Sequence, residues 1–251
     1  MNTAADKARK FETEIVLPAL PRDKLLSGSR VELSDNGLDI VSFHPFLPED
    51  LAQALFERLI HGSPWHRVRY SKYGKQFQTP RYTTVFGADK PNPGANYNYP
   101  LSPIPSGLKN LIETVSEVAE NQFNFMLFNL YIDNSQSISF HSDDESFLGP
   151  MPTIGSLSLG APRKFQLRKK SDHKMKHQIV LESGDLLIMR GPTQHEWEHG
   201  VPKTRQTRGP RINITFRKAI NPAGTNNYYR YNRYGDDYQL FKFRNGTMVS
   251  L

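Results

Sequence analysis

Cysteine is absent from the 251 residues. Disulfides and thiolate metal sites are therefore excluded, and any metal must be held by His, Asp, Glu or solvent. No apolar run approaches the roughly 20 residues that a membrane span needs. The stretch MNTAADKARKFETE at the N-terminus has no apolar core of the secretory-signal kind. We therefore expect a soluble, intracellular chain that does not engage a membrane. There is no internal repeat and no long low-complexity segment. Apolar residues are scarce too, at 37%. The core should be modest and the surface or loops extensive. The length suits one full-sized domain.

Turn-formers, by contrast, are plentiful. Pro 18 and Gly 17 suit a β-rich fold with long connections. Lys+Arg 32 against Asp+Glu 25 gives a net charge of +7. That balance is compatible with a polyanionic partner such as nucleic acid, and equally with solvated lysines. Residues 1–30 are polar and read as a partly ordered arm. Residues 38–47 read as a strand and a turn. Pro48 then opens a helix with Leu51, Leu55, Phe56 and Leu59 at helical spacing, and Gly62 where it should stop. A hairpin with its turn at Gly74 follows, then a loop over residues 87–105. A second helix carries Leu108, Leu111, Ile112, Val115 and Val118 on one face. From Asn121 the chain breaks into short β-forming runs separated by turn residues, which argues a sandwich or barrel. Both helices should lie on one outer face of it. The segment 221–251 is polar and aromatic and takes no assignment. The expected organisation is a 1–30 arm, one domain over 31–220, and a 221–251 extension.

Two constellations carry chemistry. His141 and Asp143 flank one residue at the end of a predicted strand, and positions i and i+2 of a strand face the same side. His199, far downstream between two further strand candidates, is the candidate third ligand. Two imidazoles and a carboxylate on one face of an Fe(II) ion leave three positions open for a bidentate cosubstrate and O2. His195 is a rival, four residues before His199, but Gly191, Pro192, Gly200 and Pro202 argue against the helix a zinc pair would need. His44, His66, His173 and His177 read as ordinary polar residues. The second constellation is Arg211-Ile-Asn213-Ile-Thr215-Phe-Arg217, which alternates polar and apolar. On a strand, Arg211, Asn213, Thr215 and Arg217 share one face. Inside a barrel that face would be costly without an anion, and a small dicarboxylate would supply one. On an open sheet the same residues would be solvated.

Together these motifs resemble the signature of AlkB-family dioxygenases, in particular the eukaryotic nucleic-acid repair branch. The resemblance runs from about Phe77 to Lys218 and takes in FNFMLFNLYID, FHSDDE, PTIGSLSLGAPRKFQLRKK and SGDLLIMRGPTQHEWEHGVP. It implies an α+β, β-rich fold with a double-stranded β-helix (jelly-roll) core and flanking N-terminal helices. It implies Fe(II), 2-oxoglutarate and O2 as cofactor and cosubstrates, with His141, Asp143 and His199 as iron ligands. Arg211 and Arg217 match the two arginines for the 2-oxoglutarate carboxylates, with Arg211 favoured for the distal one. Asn129, Tyr131, Asn213 and Thr215 match the rest of that pocket. On the substrate side, Glu145 resembles an acidic residue facing the base. Tyr97 and Tyr99 resemble a base-stacking pair, and Arg81 sits in a substrate-contacting segment.

The implied activity is oxidative demethylation of N-alkylated bases such as 1-methyladenine and 3-methylcytosine. The expected partner is DNA, single-stranded in preference to duplex, with RNA demethylation or protein hydroxylation as alternatives. The family suggests a monomer and a nuclear location. Lys72, Lys75, Arg163, Lys164, Arg168, Lys169 and Lys170 are candidates for phosphate contacts. Outside enzymology, a binding module that has lost catalysis is opposed by the intact triad, and a cupin-like binding barrel would not require RINITFR.

Overall fold

Alternation at every second residue builds most of the structure. The computed structural model describes residues 25, 28–87, 103–205, 209–220 and 239–251. Seven strands form one antiparallel sheet, in the order β1 (Ser29–Asp35), β2 (Leu38–His44), β11 (Leu186–Met189), β8 (Ile154–Gly160), β13 (Arg211–Arg217), β6 (Phe125–Tyr131) and β5 (Tyr82–Gly87). Four more form a second sheet, in the order β10 (Lys176–Leu181), β9 (Arg163–Lys169), β12 (Trp197–Val201) and β7 (Ile138–His141). This is the jelly-roll core that the motifs imply. Two separate hairpins complete the strands: β3 (Arg69–Lys72) with β4 (Lys75–Gln78), and β14 (Phe241–Arg244) with β15 (Thr247–Ser250).

The larger sheet has two chemically different faces. Its outer face contributes Val41, Phe43, Met126, Phe128, Leu130, Leu157, Leu159, Ile212, Ile214 and Phe216 to one apolar cluster. Helices α1 (Glu49–Gly62) and α2 (Lys109–Val118) bury Leu55, Phe56, Leu59, Leu111, Ile112 and Val115 in the same cluster. Both helices thus lie on one outer face, as their spacing predicts. The inner face contributes Leu38, Ile40, Phe125, Leu127, Ile154, Leu187 and Met189. These meet Phe165, Leu167, Trp197 and Val201 of the smaller sheet. Pleating alone sorts consecutive residues between the two clusters.

Local chemistry sets the boundaries. Glu49 and Asp50 favour the positive N-terminus of α1. Gly62, read from sequence as the stop, is the last helical residue. The helix ends because Pro64 forces Ser63 into an extended conformation, at φ −82° and ψ 145°. Tyr73 and Gly74, both at positive φ (51° and 70°), close the β3–β4 hairpin as a two-residue turn.

Three stretches differ from the sequence reading. β1 begins inside the expected arm, and Leu25 is buried in the outer cluster. The final residues form a hairpin, and its Phe241 amide donates to the Trp65 carbonyl at 2.8 Å. A four-residue helix, α3 (Thr193–Glu196), precedes β12 despite Pro192, because proline suits a helix start.

Candidate active site

Strand pairing assembles the metal cluster. His199 of β12 lies directly opposite His141 of β7, and their ring centroids are 4.4 Å apart. Asp143 follows two residues after His141, on the same side. His141 Nε2 is 3.8 Å from Asp143 Oδ1, and His199 Nε2 is 3.9 Å from Oδ2. One ligand atom from each of the three lies within 4.8 Å of the others. That spacing suits a single ion touched by all three. Asp143 and His199 are buried, whereas the His141 side chain is 33% exposed, so the cluster opens on that side.

Ring tautomers fit the same purpose. His141 Nδ1 lies 2.9 Å from the Ser139 carbonyl, so donation there leaves the Nε2 lone pair for a metal. Burial pushes the His199 imidazole well below its ordinary pKa, and His141 adds to the effect. A neutral imidazole is the form that binds a metal. His195, the rival ligand, is exposed on α3 and lies outside the cluster. His44 and His173 pair with Asp185 and Glu198 and are likewise outside it.

The polar face of β13 points between the sheets. Arg211, Asn213, Thr215 and Arg217 are all buried. An open, solvated face is thereby excluded. Register places Arg211 opposite Tyr131 and Asn213 opposite Asn129 on β6. Asn213 Nδ2 donates to Ser156 Oγ at 2.8 Å, and Thr215 Oγ1 donates to the Leu127 carbonyl at 3.2 Å. Asn129 Oδ1 accepts from Arg81 Nε at 2.7 Å.

The two arginines differ. Arg217 Nη2 donates to Asp143 Oδ1 at 2.7 Å and Nη1 to Glu145 Oε1 at 3.1 Å, so it clasps a cluster residue. Arg211 Nη2 donates to Ser158 Oγ at 3.0 Å, but its Nε and Nη1 have no hydrogen-bond partner among the described residues. Burial pulls its guanidinium pKa down to about 10. Unsatisfied donors on a buried cation are expensive and mark a place for an anion.

Of the expected phosphate contacts, Arg163 belongs to the interior, and three others already have partners within the protein. Arg163 is buried and donates to the Gln136 and Pro202 carbonyls at 2.8 and 2.6 Å, with Tyr131 5.5 Å away. Arg168 is paired with Glu198 at 2.6 Å and lies 3.9 Å over Phe140. Lys169 and Lys170 bond to backbone carbonyls and to Glu196 and Asp144. Lys75 and Lys164 are exposed. Tyr97 and Tyr99 lie outside the described residues, as does the Lys72 side chain. Sequence reasoning missed Ser156 and Ser158, although their i, i+2 spacing in GSLSLG was as legible as that of Asn129 and Tyr131. It also missed Gln194, for which no pattern gave a signal.

Comparison with known proteins agrees with this geometry. Residues 39–217 match the profile of the 2OG-Fe(II) oxygenase superfamily. The chain is 34% identical over 221 residues to mouse alpha-ketoglutarate-dependent dioxygenase alkB homolog 3, covering 82% of this chain and 76% of that protein. Against the human homolog 3 it is 36% identical, over 74% and 68% of the two chains. Against the DNA oxidative demethylase ALKBH2 of Arabidopsis thaliana it is 29% identical, over 86% and 77%. The solved structure of OsALKBH1 superposes with a TM-score of 0.50 at 19% identity, over 75% of this chain and all of that one, a likeness of fold.

Proposed function

The chain belongs to the AlkB family within the 2OG-Fe(II) oxygenase superfamily, and on that premise we propose that it demethylates N-alkylated bases in nucleic acid, single-stranded DNA foremost. It is an Fe(II)- and 2-oxoglutarate-dependent dioxygenase that consumes O2. The observation that carries the reading is the convergence of His141, Asp143 and His199, one ligand atom of each within 4.8 Å of the others, together with the buried Arg211 and its unsatisfied donors. A divalent metal fits the first and a carboxylate the second. Bound iron supplies the O2 activation that couples decarboxylation of 2-oxoglutarate to hydroxylation of the substrate.

The chain's own residues bind and orient. Arg211 takes the distal carboxylate of the cosubstrate through Nε and Nη1. Asn129, Tyr131, Asn213 and Thr215 line the pocket between the sheets. Arg217 fixes Asp143 at the metal end and holds the Glu145 carboxylate beside it. Glu145 then accepts from the exocyclic amino group of a cationic base such as 1-methyladenine or 3-methylcytosine. Arg81 ties the segment next to the base to Asn129 of the cosubstrate pocket. Tyr97 and Tyr99 stack on the extruded base. Similarity to DNA oxidative demethylases supports this substrate class. A monomer acting in the nucleus accords with it. Among the described residues no helix is long and apolar enough to cross a membrane.

The test begins with anaerobic protein, Fe(II) and 2-oxoglutarate, then air, with oligonucleotides carrying either lesion in single-stranded DNA, duplex DNA or RNA. Mass spectrometry follows the base and succinate. Loss of one methyl mass that requires iron, cosubstrate and His141 is the expected result, fastest on single-stranded DNA. Succinate with every oligonucleotide unchanged would overturn the substrate assignment and leave the oxygenase.

A further inference from the structure

Asp143 poses a positioning problem. β7 ends at His141, so Asp143 lies past the strand ladder that holds the two histidines opposite each other. A carboxylate ligand on an unpaired backbone needs other restraints. One is Arg217, on the carboxylate itself. A second ties the neighbouring residue to β12, where Ser142 Oγ donates to the Trp197 carbonyl at 2.9 Å, and a third acts on the peptide: the Asp143 backbone N–H donates to Gln194 Oε1 at 2.9 Å.

Gln194 is well placed to act as an anchor. It belongs to α3, directly before the strand that carries His199. It is only 1% exposed. Its Nε2 meets Met189 Sδ at 3.4 Å, and its backbone carbonyl accepts from Lys170 Nζ at 2.9 Å. The preceding residue, Thr193, ties α3 to β2, because its Oγ1 accepts from Asp39 N at 2.8 Å and donates to Asp39 O at 3.0 Å. Gln194 is therefore held through its side-chain Nε2, its backbone carbonyl and its neighbour Thr193, and its Oε1 connects the segments bearing Asp143 and His199. A neutral amide also suits its place, since it accepts the peptide proton without adding charge beside a ligand carboxylate.

We propose that Gln194 is a positioning residue for the metal: by fixing the Asp143 backbone relative to His199, it sets the affinity of the cluster for a divalent ion. The inference rests on the metal reading above. Groups that orient metal ligands typically change affinity by about 10- to 100-fold when removed.

Mn(II), which does not consume O2, is the probe, titrated into the full chain and followed by electron paramagnetic resonance. Wild-type protein should bind it and Asp143→Ala should not. Gln194→Leu removes the acceptor at similar volume and should bind Mn(II) about 10-fold or more weakly, with the metal-free melting temperature little changed. If Gln194→Leu does not fold, Gln194→Asn replaces it, because its amide is one methylene too short to reach. Wild-type affinity in the leucine or asparagine variant would overturn the inference and leave the metal site standing. Wild-type protein that takes no Mn(II) would overturn the metal reading itself.

Discussion

Arg211 and Arg217 sit on the same face of one strand yet serve different ends. Arg217 spends its donors on Asp143 and Glu145, so removing it leaves two acids without their cation. Arg211 keeps two donors unsatisfied in the interior. The consequence is a mutation whose effects on binding and stability diverge. Hydrogen bonds to charged groups contribute about 1.5–3 kcal/mol each. Arg211→Met removes two of them and should therefore raise the KM for 2-oxoglutarate by about 100-fold or more, read from succinate formation. Replacing an unpaired buried cation by an apolar side chain of similar reach is neutral or stabilising. The ligand-free melting temperature should not fall. A lowered melting temperature with an unchanged KM would place Arg211 among the structural residues.

At the scale of elements, β13 shows why part of the fold was legible and part was not. Seven residues of strict alternation reveal a strand and both of its faces. What alternation leaves open is whether the polar face meets water or the interior, and the second sheet decides that. β8 repeats the same alternation, whereas β6 was readable as a β-forming run that is apolar on both faces apart from Asn129 and Tyr131. β12 and α3 were not resolved as elements, because five and four residues hold too little of either period. β14 and β15 sit in a polar, aromatic tail, and their pairing and contact with Trp65 depend on the rest of the fold. The apolar face of β13 permits a clean separation of roles. Ile214 is fully buried in the outer cluster beneath the helices, away from Asn213 and Thr215. Ile214→Ala should cost about 2–5 kcal/mol, measured by chemical denaturation. The KM for 2-oxoglutarate should stay within twofold of wild type at a temperature where the variant remains folded.

For the whole molecule, net charge leaves the use of its cations open. A charge of +7 is compatible with a polyanionic partner and equally with solvated lysines. Yet Arg163 and Arg168 are consumed within the protein, and Lys169 and Lys170 are already hydrogen-bonded. Composition counts charges but does not reveal which are paired. The same internal use of polar groups makes stability depend on occupancy. A cluster of two imidazoles and a carboxylate, with a buried arginine whose donors are idle on β13, would be completed by a metal and a dicarboxylate. Ligands that bind only the folded state stabilise it by mass action, about 2.7 kcal/mol at 100 times the dissociation constant. For a chain of this size, 1 kcal/mol corresponds to about 2–4 °C. Saturating Mn(II) with 2-oxoglutarate should therefore raise the melting temperature by about 5–10 °C, as calorimetry under anaerobic conditions would measure. In Arg211→Met the increment from 2-oxoglutarate should shrink while that from Mn(II) alone persists. In Asp143→Ala the Mn(II) increment should vanish. If both increments survive both substitutions, the ligands bind elsewhere, and the space between the two sheets is not the site of catalysis.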